Sequence, residues 1–91
     1  MASYLLSYDL NGPNPSHKDM DDLIRSISSK AGRVLETVWW VDYDGSAVQL
    51  RDRLLSTLRS EDRLFVCACK DAAWFNTLLN DGSLKQAIEA A

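Results

Sequence analysis

The chain has no run of about 20 apolar residues, the length a membrane-spanning helix requires, so no membrane partner is expected. It also has no run of lysine or arginine: 10 basic residues stand against 13 acidic ones, for a net charge of −3. Proteins that grip nucleic acid through charge alone usually carry a basic stripe, so the balance argues against strong non-specific binding. The first residues lack the basic start and long apolar centre of a secretory leader, and a cytoplasmic location is expected. Cysteine is scarce. Cys67 and Cys69 occupy alternate positions of one extended stretch, which puts their side chains on one face about 7 Å apart, too far for an unstrained disulfide. Buried, reduced thiols are expected there. A tetrahedral metal site needs four ligands, and these thiols with the single histidine, His17, make only three. Repeats, low-complexity segments and linkers are absent as well.

What remains is an ordinary folded composition: 91 residues, 46% hydrophobic. That is enough for one modest core and too little for two, so residues 1–91 are read as a single domain. The chain is organised around Tyr4-Leu5-Leu6-Ser7-Tyr8-Asp9, a stretch with bulk on both faces that ends in a carboxylate. Such a strand sits centrally in a sheet. The turn Asn11-Gly12-Pro13-Asn14-Pro15 follows it at once.

Ser16, with Asp19 three residues on, opens a helix through an acidic capping box. Met20, Leu23, Ile24, Ile27 and Ala31 recur at helical spacing; Lys30 is placed in the last turn and Gly32 just past the end. Residues 33–43 are β-branched, aromatic or aliphatic. No glycine or proline marks a turn inside them, so local chemistry favours one bent or bulged strand over two strands folded at Glu36 and Thr37. Ser46 and Gln49 form a second capping box, and Ala47, Leu50, Leu54, Leu55 and Leu58 give a second amphipathic helix. Leu64 to Cys69 is apolar on both faces and reads as another central strand. Two short C-terminal helices are expected, over 72–79 and 83–90. The order of these elements describes an α/β sandwich with both main helices on one face of the sheet. Trp39 and Trp40 then point to opposite faces. Two helices cannot cover both, so a homodimer burying Trp39 or Trp40 is one expectation and cover by the C-terminal helices the other.

The strand ending Ser7-Tyr8-Asp9, the Gly32-Arg33-Val34 and Thr37-Val38-Trp39 segments and the Asp62-Arg63-Leu64 strand together resemble the small ferredoxin-like CRISPR-associated proteins that partner the spacer integrase. Their VapD-type toxin relatives share the likeness, and SinR-family proteins begin with a similar Ser-Tyr-Asp-Leu-Asn-Gly-Pro run. The resemblance covers roughly residues 3–70. It implies a ferredoxin-like βαββαβ fold with an antiparallel sheet, in which 33–43 divides into two strands, and we follow it on that point. It further implies a homodimer in which Asp9 meets its mate across the axis and holds a divalent metal, Mg²⁺, as the catalytic centre of an endonuclease acting on RNA or DNA. The alternative within the same group is a non-catalytic dimeric module that binds nucleic acid or protein. This chain departs from the family's nucleases in following the aspartate with an acidic helix start, Asp19-Met20-Asp21-Asp22.

Each candidate residue also has a plainer reading. Asp9 is either a metal ligand or the acceptor of the Asn11-Gly12 turn. His17 is a general base if the prolyl loop folds over Asp9, or an exposed helix-start histidine. Ser7 and Tyr8 flank the acid with nothing beside them to activate a nucleophile. Arg51, Arg53, Arg59 and Arg63 are candidate nucleic-acid contacts or a solvated face paired with Asp52, Glu61 and Asp62.

Overall fold

Both capping boxes form, and they set where the two helices begin. The Ser16 hydroxyl accepts the Asp19 amide at 3.1 Å while the Asp19 carboxylate accepts the Ser16 amide at 2.9 Å. Ser46 and Gln49 repeat the exchange at 3.1 and 2.8 Å. Each pair satisfies amides that a helix start leaves without partners. The computed structural model describes residues 2–75, 77 and 78. Its elements run β1 (Ala2–Asp9), α1 (His17–Ile27), β2 (Ala31–Leu35), β3 (Val38–Tyr43), α2 (Ala47–Leu55) and β4 (Arg63–Ala68). The four strands form one antiparallel sheet in the order β2-β3-β1-β4.

β1 is central, as its two-sided bulk requires. Its register sets Leu5 against Trp40 and Cys67, and Leu6 against Trp39 and Val66. Tyr4, Leu6 and Tyr8 project under the helices and join Trp39, Val41, Met20, Ile24, Leu50 and Leu54 in the main core. Trp39 is the largest of these, with no exposed surface. The opposite face carries a smaller cluster of Val34, Trp40 and Cys69, with Leu5, Val38 and Ala72 packed on it. Both helices therefore cover one face, and the two tryptophans point apart as alternation demands.

Three expectations are corrected and one is met. First, α1 stops at Ser28, whose extended backbone (φ −142°, ψ 133°) caps it. Ala31 and Gly32 belong to β2 instead, because Ala31 pairs with Val41 and Gly32 with Trp40. The basic residue of the last helical turn is thus Arg25, not Lys30. Second, 33–43 divides into two strands, as the resemblance implies, rather than forming the one strand that local chemistry favours. It folds at Glu36 and Thr37, and the register slips by one residue at Val34. The bulge expected from local chemistry is real, but it lies in the first arm of a hairpin. The hairpin is pinned from outside when Thr37 accepts the Tyr8 amide at 3.3 Å. Third, β4 is an edge strand. Leu64 and Val66 pack on the main core, whereas Phe65 is 67% exposed. Fourth, residues 72–75, 77 and 78 are not helical. They leave β4, cross the second face over Val34 and Trp40, and reach the far edge of the sheet, where the Leu78 amide donates to the bulged Val34 carbonyl at 2.9 Å. The helix expected over 83–90 lies outside the described residues.

Candidate functional site

Alternation along β1 decides what surrounds Asp9. Tyr8 turns under the helices, so Asp9 projects to the second face with Leu5 and Ser7. Its cross-strand neighbour is Arg63. The Asp9 side chain is exposed and makes no hydrogen bond or ion pair with another described residue. The turn after it is anchored from elsewhere: Asp62 Oδ1 accepts the Asn11 amide at 2.8 Å, and its other oxygen accepts the Arg59 amide at 2.9 Å. These two backbone donors hold the Asp62 carboxyl below the usual aspartate range. The acceptor of the turn is therefore not Asp9 but Asp62, 51 residues on from Asn11.

A stability consequence follows from that lowered pKa. A depressed carboxylate contributes stability above its unfolded pKa and loses it as pH falls through the folded value. Asp62→Ala is therefore expected to melt below the parent at pH 7. Urea midpoints should converge as the pH drops below the aspartate range. A gap that stays constant from pH 7 to pH 2.5 would mean that Asp62 acts through packing rather than charge.

His17 does not approach Asp9. Its ring lies 6.0 Å from that of Tyr8, on the helix side of the sheet, while Asp9 projects from the other side. Ser7 shares the Asp9 face and is half-buried. The four arginines are all exposed but are not gathered. Arg63 stands beside Asp9, and Arg59 adjoins the Asp62 anchor. Arg51 is engaged with Asp52 on α2, and Arg53 lies in the last turn of that helix. Of the candidate tryptophans, Trp39 is sealed beneath the helices, so only Trp40 belongs to the second face, at 6% exposure. Cys67 and Cys69 are both free thiols. Burial, and then the neighbouring Cys67, push the Cys69 thiol above its usual pKa.

The segment crossing the second face leaves an apolar groove of about 240 Å³ between itself and Leu5, Val34 and Val38. Trp74 and Phe75, which line it, are 40% and 86% exposed, and Phe65 on β4 is 67% exposed. Asp9, at the end of β1, shares that face of the sheet.

One cluster was not anticipated. Tyr8, Asp21, Arg33 and Trp39 meet between α1 and the sheet, with Arg33 ion-paired to Asp21. The guanidinium carbons of Arg25 and Arg33 lie 5.0 and 5.4 Å from the Trp39 ring centroid. Burial raises the Tyr8 pKa, Asp21 raises it further, and Trp39 and Arg33 act the other way. The only signal in the sequence was an aspartate and an arginine on inward positions of neighbouring apolar elements. No family model matches the chain, and neither a curated protein nor a solved structure does. Among the described residues no helix is long and apolar enough to cross a membrane.

Proposed function

We propose that this chain is a ferredoxin-like βαββαβ module akin to the CRISPR-associated, VapD and SinR-family proteins. In this reading it works in the cytoplasm as a homodimer and as a magnesium-dependent endonuclease on RNA or DNA, with paired Asp9 carboxylates at its centre. The element order and the strand order β2-β3-β1-β4 support the fold. One observation carries the site: Asp9 ends the central strand exposed and unengaged, because Asp62 holds the turn.

The donor chemistry fits a shared site. Mg²⁺ takes one or two carboxylates and keeps several waters. In this reading each chain contributes one carboxylate, Asp9. A second copy would supply the second carboxylate. The exposed Phe65, Trp74 and Phe75 give the two copies apolar area to bury. Bound Mg²⁺ would stabilise charge developing on a phosphoryl group and activate a water. Asp9 would hold the ion, and Arg63 and Arg59 would offer contacts to phosphates.

A second reading is a non-catalytic dimeric module binding nucleic acid or protein. It is favoured by the acidic start of α1 and by the distance of His17 from Asp9 across the sheet. Thermal melts separate the two. Millimolar Mg²⁺ is expected to raise the melting temperature of the parent by preferential binding to the folded dimer, and to leave Asp9→Asn unmoved. Equal shifts in both proteins, or none in either, would remove Asp9 as a metal ligand and leave the binding module.

A further inference from the structure

The second face of the sheet is divided between two kinds of surface. The segment after β4 crosses it over Val34 and Trp40, on β2 and β3. The part built by β1 and β4 keeps Asp9, Arg63 and Phe65 exposed, with Ser7 and Cys67 half-buried beside them. Leu64 and Val66 pack on the main core. Arg63, Phe65 and Cys67 therefore turn the other way, to the face that Leu5, Ser7 and Asp9 share. Neither Asp9 nor Arg63 is engaged in an ion pair or side-chain hydrogen bond among the described residues.

The register of the two strands makes this surface complementary to itself. Asp9 lies beside Arg63, Ser7 beside Phe65 and Leu5 beside Cys67. Each pair therefore sets unlike partners side by side: an anion and a cation, then a small hydroxyl and a large ring. A two-fold axis lying between two such faces, parallel to the strands and midway between β1 and β4, exchanges the strands. It sets Asp9 of each copy over Arg63 of the other, and Ser7 over Phe65. An axis across the strands at the level of Asp9 would instead set like charge on like charge. We propose that two copies of this chain meet face to face about the first axis, so that Arg63 of each copy completes the Asp9 site of the other.

This arrangement rests on the homodimer of the proposed function and specifies what joins it. A two-fold interface is isologous, so one patch must serve as both halves. Sheets packed face to face lie about 10 Å apart, which leaves depth for one layer of side chains from each copy. Opposite charges aligned across an interface fix its register. The two carboxylates and two guanidiniums sum to zero, so the Asp9 pair can approach before any metal binds, without the repulsion that two bare carboxylates suffer. Phe65, 67% exposed in the single chain, is covered where it meets the small Ser7.

Sedimentation equilibrium in chelator tests the arrangement on chains that keep their fold, since both charged side chains are exposed. Arg63→Ala and Asp9→Asn should each weaken association about tenfold, because each removes two ion pairs per dimer. The double exchange Asp9→Arg with Arg63→Asp keeps opposite charges facing and should associate as the parent does. Equal or tighter association in Arg63→Ala, or a double exchange no tighter than the single variants, would overturn the arrangement and leave the homodimer standing. A parent that is monomeric with Mg²⁺ and with chelator would remove the homodimer and this interface together.

Discussion

Trp39→Ala is expected to destabilise the protein by about 3–5 kcal/mol, the usual cost of emptying a fully buried indole site. Trp39 has no exposed surface, lies in the main core between α1 and the sheet, and sits under two guanidiniums, Arg25 and Arg33. Cation–π contacts add to the burial. Since small domains hold only about 5–15 kcal/mol in total, the variant should be largely unfolded at 37 °C. Trp40→Ala should cost less, because Trp40 sits with Val34 and Cys69 in the smaller cluster on the far face. Urea denaturation of both variants checks the order. A Trp40 variant less stable than the Trp39 variant would place the main core on the wrong side of the sheet.

On the proposed endonuclease reading, Asp9→Asn is expected to abolish metal-dependent cleavage of RNA or DNA while leaving the fold unchanged. The carboxylate is exposed and without a partner among the described residues, so its replacement breaks no contact with them. Surface substitutions of that kind usually move stability by less than about 0.5 kcal/mol. His17→Ala should leave cleavage unaltered, because the imidazole stands beside Tyr8 on the helix side. Cleavage is read with millimolar Mg²⁺ and with a chelator. Full activity in Asp9→Asn would move the chemistry elsewhere on the chain, and loss in His17→Ala would restore the histidine as a catalytic candidate.

Local signals were the most legible part of the fold. Ser16 with Asp19, and Ser46 with Gln49, act within one turn, so the residues that make each cap adjoin in sequence. The central place of β1 and the opposed tryptophans followed from alternation alone. Long-range choices were hidden. The turn at Glu36 and Thr37 carries no glycine or proline, and the family resemblance pointed to it where local chemistry did not. Ala31 looked helical by spacing until its pairing with Val41 claimed it. Leu64 to Cys69 looked central because both faces are apolar, but Cys69 lies under the chain's own following segment while Phe65 is left to solvent. At the site, the position of Asp9 was readable, whereas its release from the turn was not, since the anchor is 51 residues distant. The Tyr8, Asp21, Arg33 and Trp39 cluster was invisible for the same reason: it unites three strands and a helix.

Sedimentation equilibrium of the parent chain at micromolar concentration, with Mg²⁺ and with chelator, bears most directly on the account. Two Asp9 carboxylates can share an ion only in an assembly of two chains whose second faces meet. The expected mass is about twice the 10.2 kDa chain, with association tightened by Mg²⁺ in the parent and unchanged by it in Asp9→Asn. A monomer of 10.2 kDa under both conditions would contradict it. The segment over Val34 and Trp40 would then close the second face alone, and Asp9 would have no mate.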